Sequence, residues 1–240
     1  MKSGNPALSD KMFQGTRVGA GQEVMTSSGA YQKTAILLGL CISAASFTWS
    51  EGGAGFAMFG LIGGLIFALI TIFKKEWAMF TAPLYAICEG VALGGISFMY
   101  QTQYPGIVMN AIMLTFSVMA LMLFMYSSGR IKVTEGLKKG IFAATGAIFL
   151  VYMIGFVMSF FGSGIPMIHG SGLVGIGFSV VVVGIASFNL LLDFDFIEKA
   201  SATRSAPKFM EWYAAFGLMV TLVWLYLEIL RLLSKLNDRR

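Results

Sequence analysis

The chain of 240 residues is 57% hydrophobic and only 12% charged, and its mean hydropathy is +0.77. A soluble domain carries about 25% charged residues, so a soluble fold of this composition would expose a large apolar surface. Two cysteines within apolar runs exclude a secreted disulfide scaffold, and the high hydrophobicity excludes a disordered chain. The net charge of +5 does not indicate nucleic acid, because the basic residues lie in short segments between apolar runs. The expected partner is therefore a lipid bilayer.

Seven apolar runs approach the roughly 20 residues that a helix needs to cross a bilayer core about 30 Å thick. They lack strict alternation of apolar and polar residues, which favours helices over a β-barrel. The predicted spans are Thr34–Trp49, Phe56–Phe73, Trp77–Tyr100, Ile107–Tyr126, Ile141–Phe161, Leu173–Leu192 and Trp212–Leu233. The first two are short, and a single buried helical hairpin is the alternative there. We expect an all-α membrane protein with a flexible tail over residues 1–33 and one transmembrane domain over residues 34–240.

The distribution of Lys and Arg predicts a cytoplasmic N-terminus, because cytoplasmic segments are enriched in these residues. Alternate connecting segments hold thirteen of them and the opposite segments hold none. The thirteen are Lys2, Lys11, Arg17, Lys33, Lys74, Lys75, Arg130, Lys132, Lys138, Lys139, Lys199, Arg204 and Lys208. The C-terminal end breaks the pattern with Arg231, Lys235, Arg239 and Arg240. The last helix therefore either crosses despite these charges or re-enters and returns to the cytoplasmic side.

Three pairs of glycines share helix faces and predict close packing of helix backbones in lipid. They are Gly60 with Gly64, Gly90 with Gly94, and Gly177 with Gly184.

Few ionisable residues interrupt the spans, and each costs at least about 2.5 kcal/mol at the bilayer centre. The candidates are Glu89, Asp193, Asp195, Glu211, Glu228 and Arg231. Asn189 lies one turn before Asp193 on the same face, whereas Asp195 points about 200° away at 100° per residue. The two aspartates therefore cannot face one partner on a regular helix. The alternative for both is hydration at the end of the span.

Glu228 is the strongest single signal, because apolar residues flank it for a full turn on each side. It either pairs with Arg231 three residues later, or shares a proton or a cation with a carboxylate of another helix. Glu89 lies in the middle of the third span. It either ties helices together as a neutral acid or lines a polar cavity.

If Asp193 and Glu228 meet, like charges at close range favour one shared proton, and loss of that proton demands a cation. Carboxylate oxygens suit a hard cation such as Ca²⁺. The hypothesis is a pore that the protonated pair closes and that deprotonation opens, with Ca²⁺ as the transported ion and no cofactor. Glu211 is an alternative partner for Asp193. The supporting residues would be Asp195, Glu89 and Arg231.

Short segments along most of the chain form a combined signature. They are Asn5–Leu8, Val24–Thr26, Tyr85–Gly90, Gly94–Ser97, Met210–Phe216 and Leu225–Glu228. Together they resemble the Bax inhibitor family of membrane proteins, in particular its bacterial YccA-like branch. The resemblance implies seven helices around a central C-terminal helix, and a pH-sensitive Ca²⁺ leak in a bacterial inner membrane. By motif position, Asp193 and Glu228 correspond to the family's acidic pair, although glutamate replaces the second aspartate. In the family, the first aspartate belongs to a Tyr-Asp-Thr-Gln-like motif, of which this sequence keeps only Asp193.

The resemblance also implies a second role, as a modulator of a membrane-bound AAA protease that is engaged through the cytoplasmic tail. Catalysis is disfavoured, because Asp193 and Asp195 lie on one helix and no Gly-x-Gly-Asp motif is present. The only histidine, His169, lies in a predicted loop. The sequence leaves the oligomeric state open, and a monomer is compatible with it.

Overall fold

The computed structural model describes residues 23–161, 170–204 and 206–239. Within these ranges it contains seven α-helices, and an isolated antiparallel bridge joins Val24 to Pro207. The helices are α1 (Ser27–Thr48), α2 (Ala57–Phe73), α3 (Ala78–Gln103), α4 (Ile107–Ser127), α5 (Glu135–Phe160), α6 (Leu173–Ala202) and α7 (Met210–Asp238). The predicted all-α membrane bundle is confirmed. His169 lies outside the described residues.

Five of these helices, α3 to α7, are long and apolar enough to cross a membrane. Helix α2 is apolar but has 17 residues, which span about 25 Å at 1.5 Å per residue. Helix α1 is not among the five, and polar residues such as Lys33 and Thr34 interrupt it. Helix α7 runs unbroken for 29 residues and does not turn back. It is also the most buried of the five, with 67% of its apolar stretch covered.

The first helix begins at Ser27, seven residues before the predicted span. Thr26 is its N-cap in an extended conformation, and the Thr26 hydroxyl accepts a hydrogen bond of 3.0 Å from the Gly29 amide. Residues 27–33 are therefore helical in the structure, while residues 1–22 of the predicted tail lie outside the described residues. A short 3₁₀ helix, Glu51–Phe56, separates α1 from α2, so the two predicted segments form two distinct helices.

The chain folds into two compact units, and both α6 and α7 contribute to each of them. Unit 1 contains α1, α2 and α3, together with Asp195–Val220 from α6, the connection and α7. Unit 2 contains α4 and α5, the part of α6 up to Phe194 and the part of α7 from Thr221. The candidate residues therefore fall into two sets, one in each unit.

Glycines bring α1, α2 and α3 into close contact in unit 1. A methyl group on Gly60 of α2 would lie 2.5 Å from the Ala92 backbone nitrogen, and one on Gly90 of α3 would lie 2.8 Å from the Ala44 methyl of α1. Gly94 likewise faces the backbone of α1. These two glycine pairs pack as predicted. The third pair does not, because nothing described lies within 4 Å of a methyl group built on Gly177 or Gly184.

Gly60→Ala is expected to destabilise the protein by about 1–3 kcal/mol, because the added methyl group would press on the backbone of α3. Gly177→Ala is the matched control, since that position is open and alanine is the better helix former. Thermal unfolding in detergent measures both variants. Equal melting temperatures for the two would contradict the close approach of α2 to α3.

Candidate functional site

A row of buried polar side chains runs along α6 and α7 within unit 2. Asp193 of α6 contacts Thr221 of α7, and farther along the pair Ser179 contacts Lys235. From the first contact to the second, the residue number falls by fourteen on α6 and rises by fourteen on α7. The two helices are therefore antiparallel. Thr221, Glu228 and Lys235 recur every seven residues and therefore share one face of α7.

Asp193 forms the first position of this row. Its side chain is completely buried, and the Thr221 hydroxyl donates a hydrogen bond of 2.6 Å to Oδ2. One turn earlier on α6, the Asn189 side-chain amide donates to the Thr145 hydroxyl of α5 at 2.8 Å. The polar face that we predicted from the Asn189 and Asp193 spacing is thus lined by hydroxyl groups of α5 and α7.

Glu228 lies in the middle of the row and is 2% exposed. The Arg231 guanidinium donates to its Oε1 at 2.8 Å, which is one of the two alternatives that the sequence left open for Glu228. The Tyr152 hydroxyl of α5 lies 2.9 Å from both carboxylate oxygens and accepts a hydrogen bond of 2.7 Å from Arg231. Arg231 also lies over the Tyr152 ring, 5.1 Å from its centroid. Three side chains therefore form a closed network that compensates the buried carboxylate.

Lys235 ends the row. It is 4% exposed, and its ammonium group donates to the Gly175 carbonyl at 3.0 Å and to the Ser179 hydroxyl at 2.9 Å. Both acceptors lie in the first two turns of α6. In the sequence, Lys235 is one of the basic residues that break the alternation of Lys and Arg between connecting segments. In the structure it is buried against oxygen atoms of a neighbouring helix.

The structure does not bring Asp193 and Glu228 to one level of the bundle. Asp193 contacts Thr221, which precedes Glu228 by seven residues or about 10 Å along α7. The shared register of α6 and α7 places Ala186, not Asp193, opposite Glu228. Each carboxylate is instead bonded to a separate set of protein donors.

Asp195 and Glu211 belong to unit 1 and have partners there. Asp195 is 5% exposed and pairs with Lys199, one turn later on α6, at 2.7 Å. Glu211 is 2% exposed and accepts hydrogen bonds of 2.9 Å from the backbone amide and the hydroxyl of Thr26. It also pairs with Lys33 of α1. Glu211 therefore binds the start of α1, where the helix dipole favours a negative charge.

Further contacts join the segment before α1 to the connection between α6 and α7. The Met25 amide donates to the Ala206 carbonyl at 2.8 Å, and the Lys208 amide donates to the Glu23 carbonyl at 3.0 Å. The hydrogen bond to the Glu23 carboxylate raises the pKa of Lys208, so its ammonium group stays charged at neutral pH. We call residues 23–33, with the groups of 198–211 that they contact, the N-terminal clamp.

Glu89 also belongs to unit 1, at a distance in sequence from both aspartates. It lies on α3 with 9% exposure, and a methyl group built on Gly64 of α2 would lie 2.9 Å from its Oε2. Within the described ranges, no group of three or more His, Cys, Asp and Glu side chains is arranged to hold a metal ion.

Sequence reasoning missed the neutral partners of the row. Tyr152, Thr145, Thr221 and Ser179 are single hydroxyl groups within apolar spans, and such groups often bond to their own helix backbone. One signal was available: the seven-residue spacing of Thr221, Glu228 and Lys235 places a polar stripe on one face of an apolar helix.

Apolar helices and buried polar groups of this kind define a polytopic α-helical membrane protein. The chain matches the Bax inhibitor 1 like family over residues 5–238 and belongs to that family. A comparison with curated proteins found no match. The family that the sequence motifs indicated is thereby confirmed, while the YccA-like branch stays a prediction.

Arg231→Gln is expected to destabilise the protein by about 3 kcal/mol, because it leaves Glu228 buried beside only a neutral donor. The double variant Glu228→Gln/Arg231→Gln should lose less stability than Arg231→Gln alone. Lys208→Gln removes a surface ion pair and should change little. Denaturant unfolding of the wild type, Glu228→Gln, Arg231→Gln and the double variant forms a double-mutant cycle, and Lys208→Gln is its control. Additive losses at Glu228 and Arg231 would contradict the network.

Proposed function

We propose that this protein conducts or exchanges Ca²⁺ or H⁺ along the polar row of unit 2, and that protonation of its carboxylates controls the flux. The observation that carries the proposal is the row itself. Asp193, Glu228 and Lys235 are 0%, 2% and 4% exposed in helices that are otherwise apolar. Ionisable groups within membrane helices are costly, and they commonly mark pathways for ions or protons.

The depth of the row supports a path through the membrane. Thr221 follows the start of α7 by eleven residues, or about 16 Å, which is near the middle of a core about 30 Å thick. Lys235 follows Thr221 by fourteen residues, or about 21 Å. Asp193 would therefore lie near the centre of the bilayer, Glu228 near one edge of its core, and Lys235 beyond that edge.

The contacts correspond to a shut state. The Thr221 hydroxyl occupies one oxygen of Asp193, and Arg231 and Tyr152 occupy the oxygens of Glu228. A cation must displace Arg231 or Tyr152 before it binds Glu228, because both oxygens of that carboxylate are bonded. Asp193 contacts α7 at Thr221, about 10 Å before Glu228 along that helix. The two acids would therefore act as successive positions on one path rather than share one proton.

The setting we propose is a bacterial inner membrane, with the N-terminus and the N-terminal clamp on the cytoplasmic side. The loop charges support this orientation, because Lys199, Arg204 and Lys208 precede α7. The row would then end towards the outer side. Ca²⁺ is a transported ion in this proposal, and the protein acts without catalysis or cofactor.

Asp193→Asn is expected to abolish the pH dependence of Ca²⁺ flux, because the position nearest the bilayer centre can no longer ionise. The measurement is Ca²⁺ uptake into liposomes that contain the purified protein, over a range of pH. Glu228→Gln should change the flux as well, by releasing Arg231 from its ion pair. Asp238→Asn, at the exposed end of α7, is the matched control. A wild type without pH-dependent flux would refute the channel proposal.

A second candidate function is a modulator of a membrane-bound AAA protease. The N-terminal clamp supports it, because Glu211 and Lys208 anchor residues 23–33 and so give the preceding tail a defined point of attachment. A protease that grips the tail would pull directly on the connection between α6 and α7.

Deletion of residues 2–20 should abolish co-purification with such a protease and leave ion flux unchanged, because the clamp begins at Glu23. The control is Lys33→Gln, which weakens the clamp but keeps the tail. Retained binding by the deleted protein would count against this function.

A further inference from the structure

The carboxylate of Glu89 is buried, and the part of the chain that the structure describes provides no donor for it. It is 9% exposed, and among the described residues no hydrogen bond or ion pair reaches it. Every other buried candidate acid has such a partner: Asp193 has Thr221, Asp195 has Lys199, Glu211 has Lys33 and Glu228 has Arg231. A buried polar group without a partner calls for an explanation, since the great majority are satisfied.

The groups that face Glu89 from each neighbouring helix offer it no positive charge. Helix α1 presents the Cys41 thiol, and α3 itself presents Tyr85 and Cys88. Helix α2 presents Gly64. The ring of Phe216 from α7 packs edge-on against Tyr85, 4.9 Å between centroids. An ionised carboxylate would face only neutral groups here, whereas a protonated one is far less costly.

We propose that Glu89 is a second proton-binding site of this protein, held by unit 1 alone, and that loss of its proton opens the contact between α2 and α3 to water. The contact between α2 and α3 is tight one turn before Gly64, where Gly60 packs against the backbone of Cys88 and Ala92. An ionised carboxylate beside this contact has to acquire water or a cation, and the backbone of α2 at Gly64 lies against its Oε2, so we infer that α2 moves aside. The site does not depend on the polar row of unit 2.

Infrared difference spectroscopy of the full chain in lipid vesicles tests protonation directly. At neutral pH, Glu89→Gln should remove one carbonyl stretching band of a protonated carboxyl group. Glu228→Gln is the matched control and should remove none, because Glu228 is ion-paired with Arg231. If Glu89→Gln leaves the protonated bands unchanged, Glu89 is ionised and the proposal is wrong.

A second variant keeps the acid and moves it. Gly64→Ala places a methyl group 2.9 Å from Oε2, so the flexible carboxyl group has to shift. The Glu89 band should then change frequency but remain present. An unchanged band would contradict the position of the carboxyl group against α2.

Hydrogen exchange tests the consequence for the helices. As the pH rises through the loss of the Glu89 band, peptides from residues 57–103 should lose protection in the wild type but not in Glu89→Gln. Peptides from α5 serve as the internal reference. Equal protection of the two proteins at every pH would refute the opening step. Neither measurement involves ion flux, so the result stands apart from the proposed channel.

Discussion

The cost of burying charge among apolar helices governs the arrangement of α5, α6 and α7. Glu228 is tolerated because Arg231 neutralises it and Tyr152 bonds to both residues. Lys235 is tolerated because a backbone carbonyl and a hydroxyl of α6 accept hydrogen bonds from its ammonium group. These contacts fix which faces of the helices meet, since rotation of α7 by one residue would move each charge away from its partner.

The same cost separates the roles of the five buried acids. Four have donors and are held in place, two in each unit, whereas Glu89 has none among the described residues. A carboxylate with a cationic partner, as in Asp195, Glu211 and Glu228, stabilises the structure as part of an ion pair. A carboxylate among neutral groups is stable only with its proton. One chain thus contains acids that hold helices together and an acid whose charge state would loosen them.

In the N-terminal clamp, too, a buried carboxylate is compensated by donors from a neighbouring helix. Thr26 caps α1, and Glu211 accepts from Thr26 and pairs with Lys33, so the start of α1 and the start of α7 share one carboxylate. The Glu211 charge also complements the α1 dipole. This explains why α1 begins at Ser27, before the apolar run that predicted it: its first turn is stabilised by tertiary contacts rather than by hydrophobicity.

The sequence alone determined the class of membrane protein and its family, and it offered the ion pair of Glu228 with Arg231 as one of two alternatives. These follow from local properties: run length, composition, motif and i,i+3 spacing. Only the tertiary structure decided that Asp193 bonds to Thr221, that Lys235 reaches α6 and that Glu89 lies without a donor within the described ranges. Each of these depends on the axial register of neighbouring helices. Register is set by the sum of many side-chain contacts, so spacing along one helix cannot reveal which residue of the next helix lies opposite.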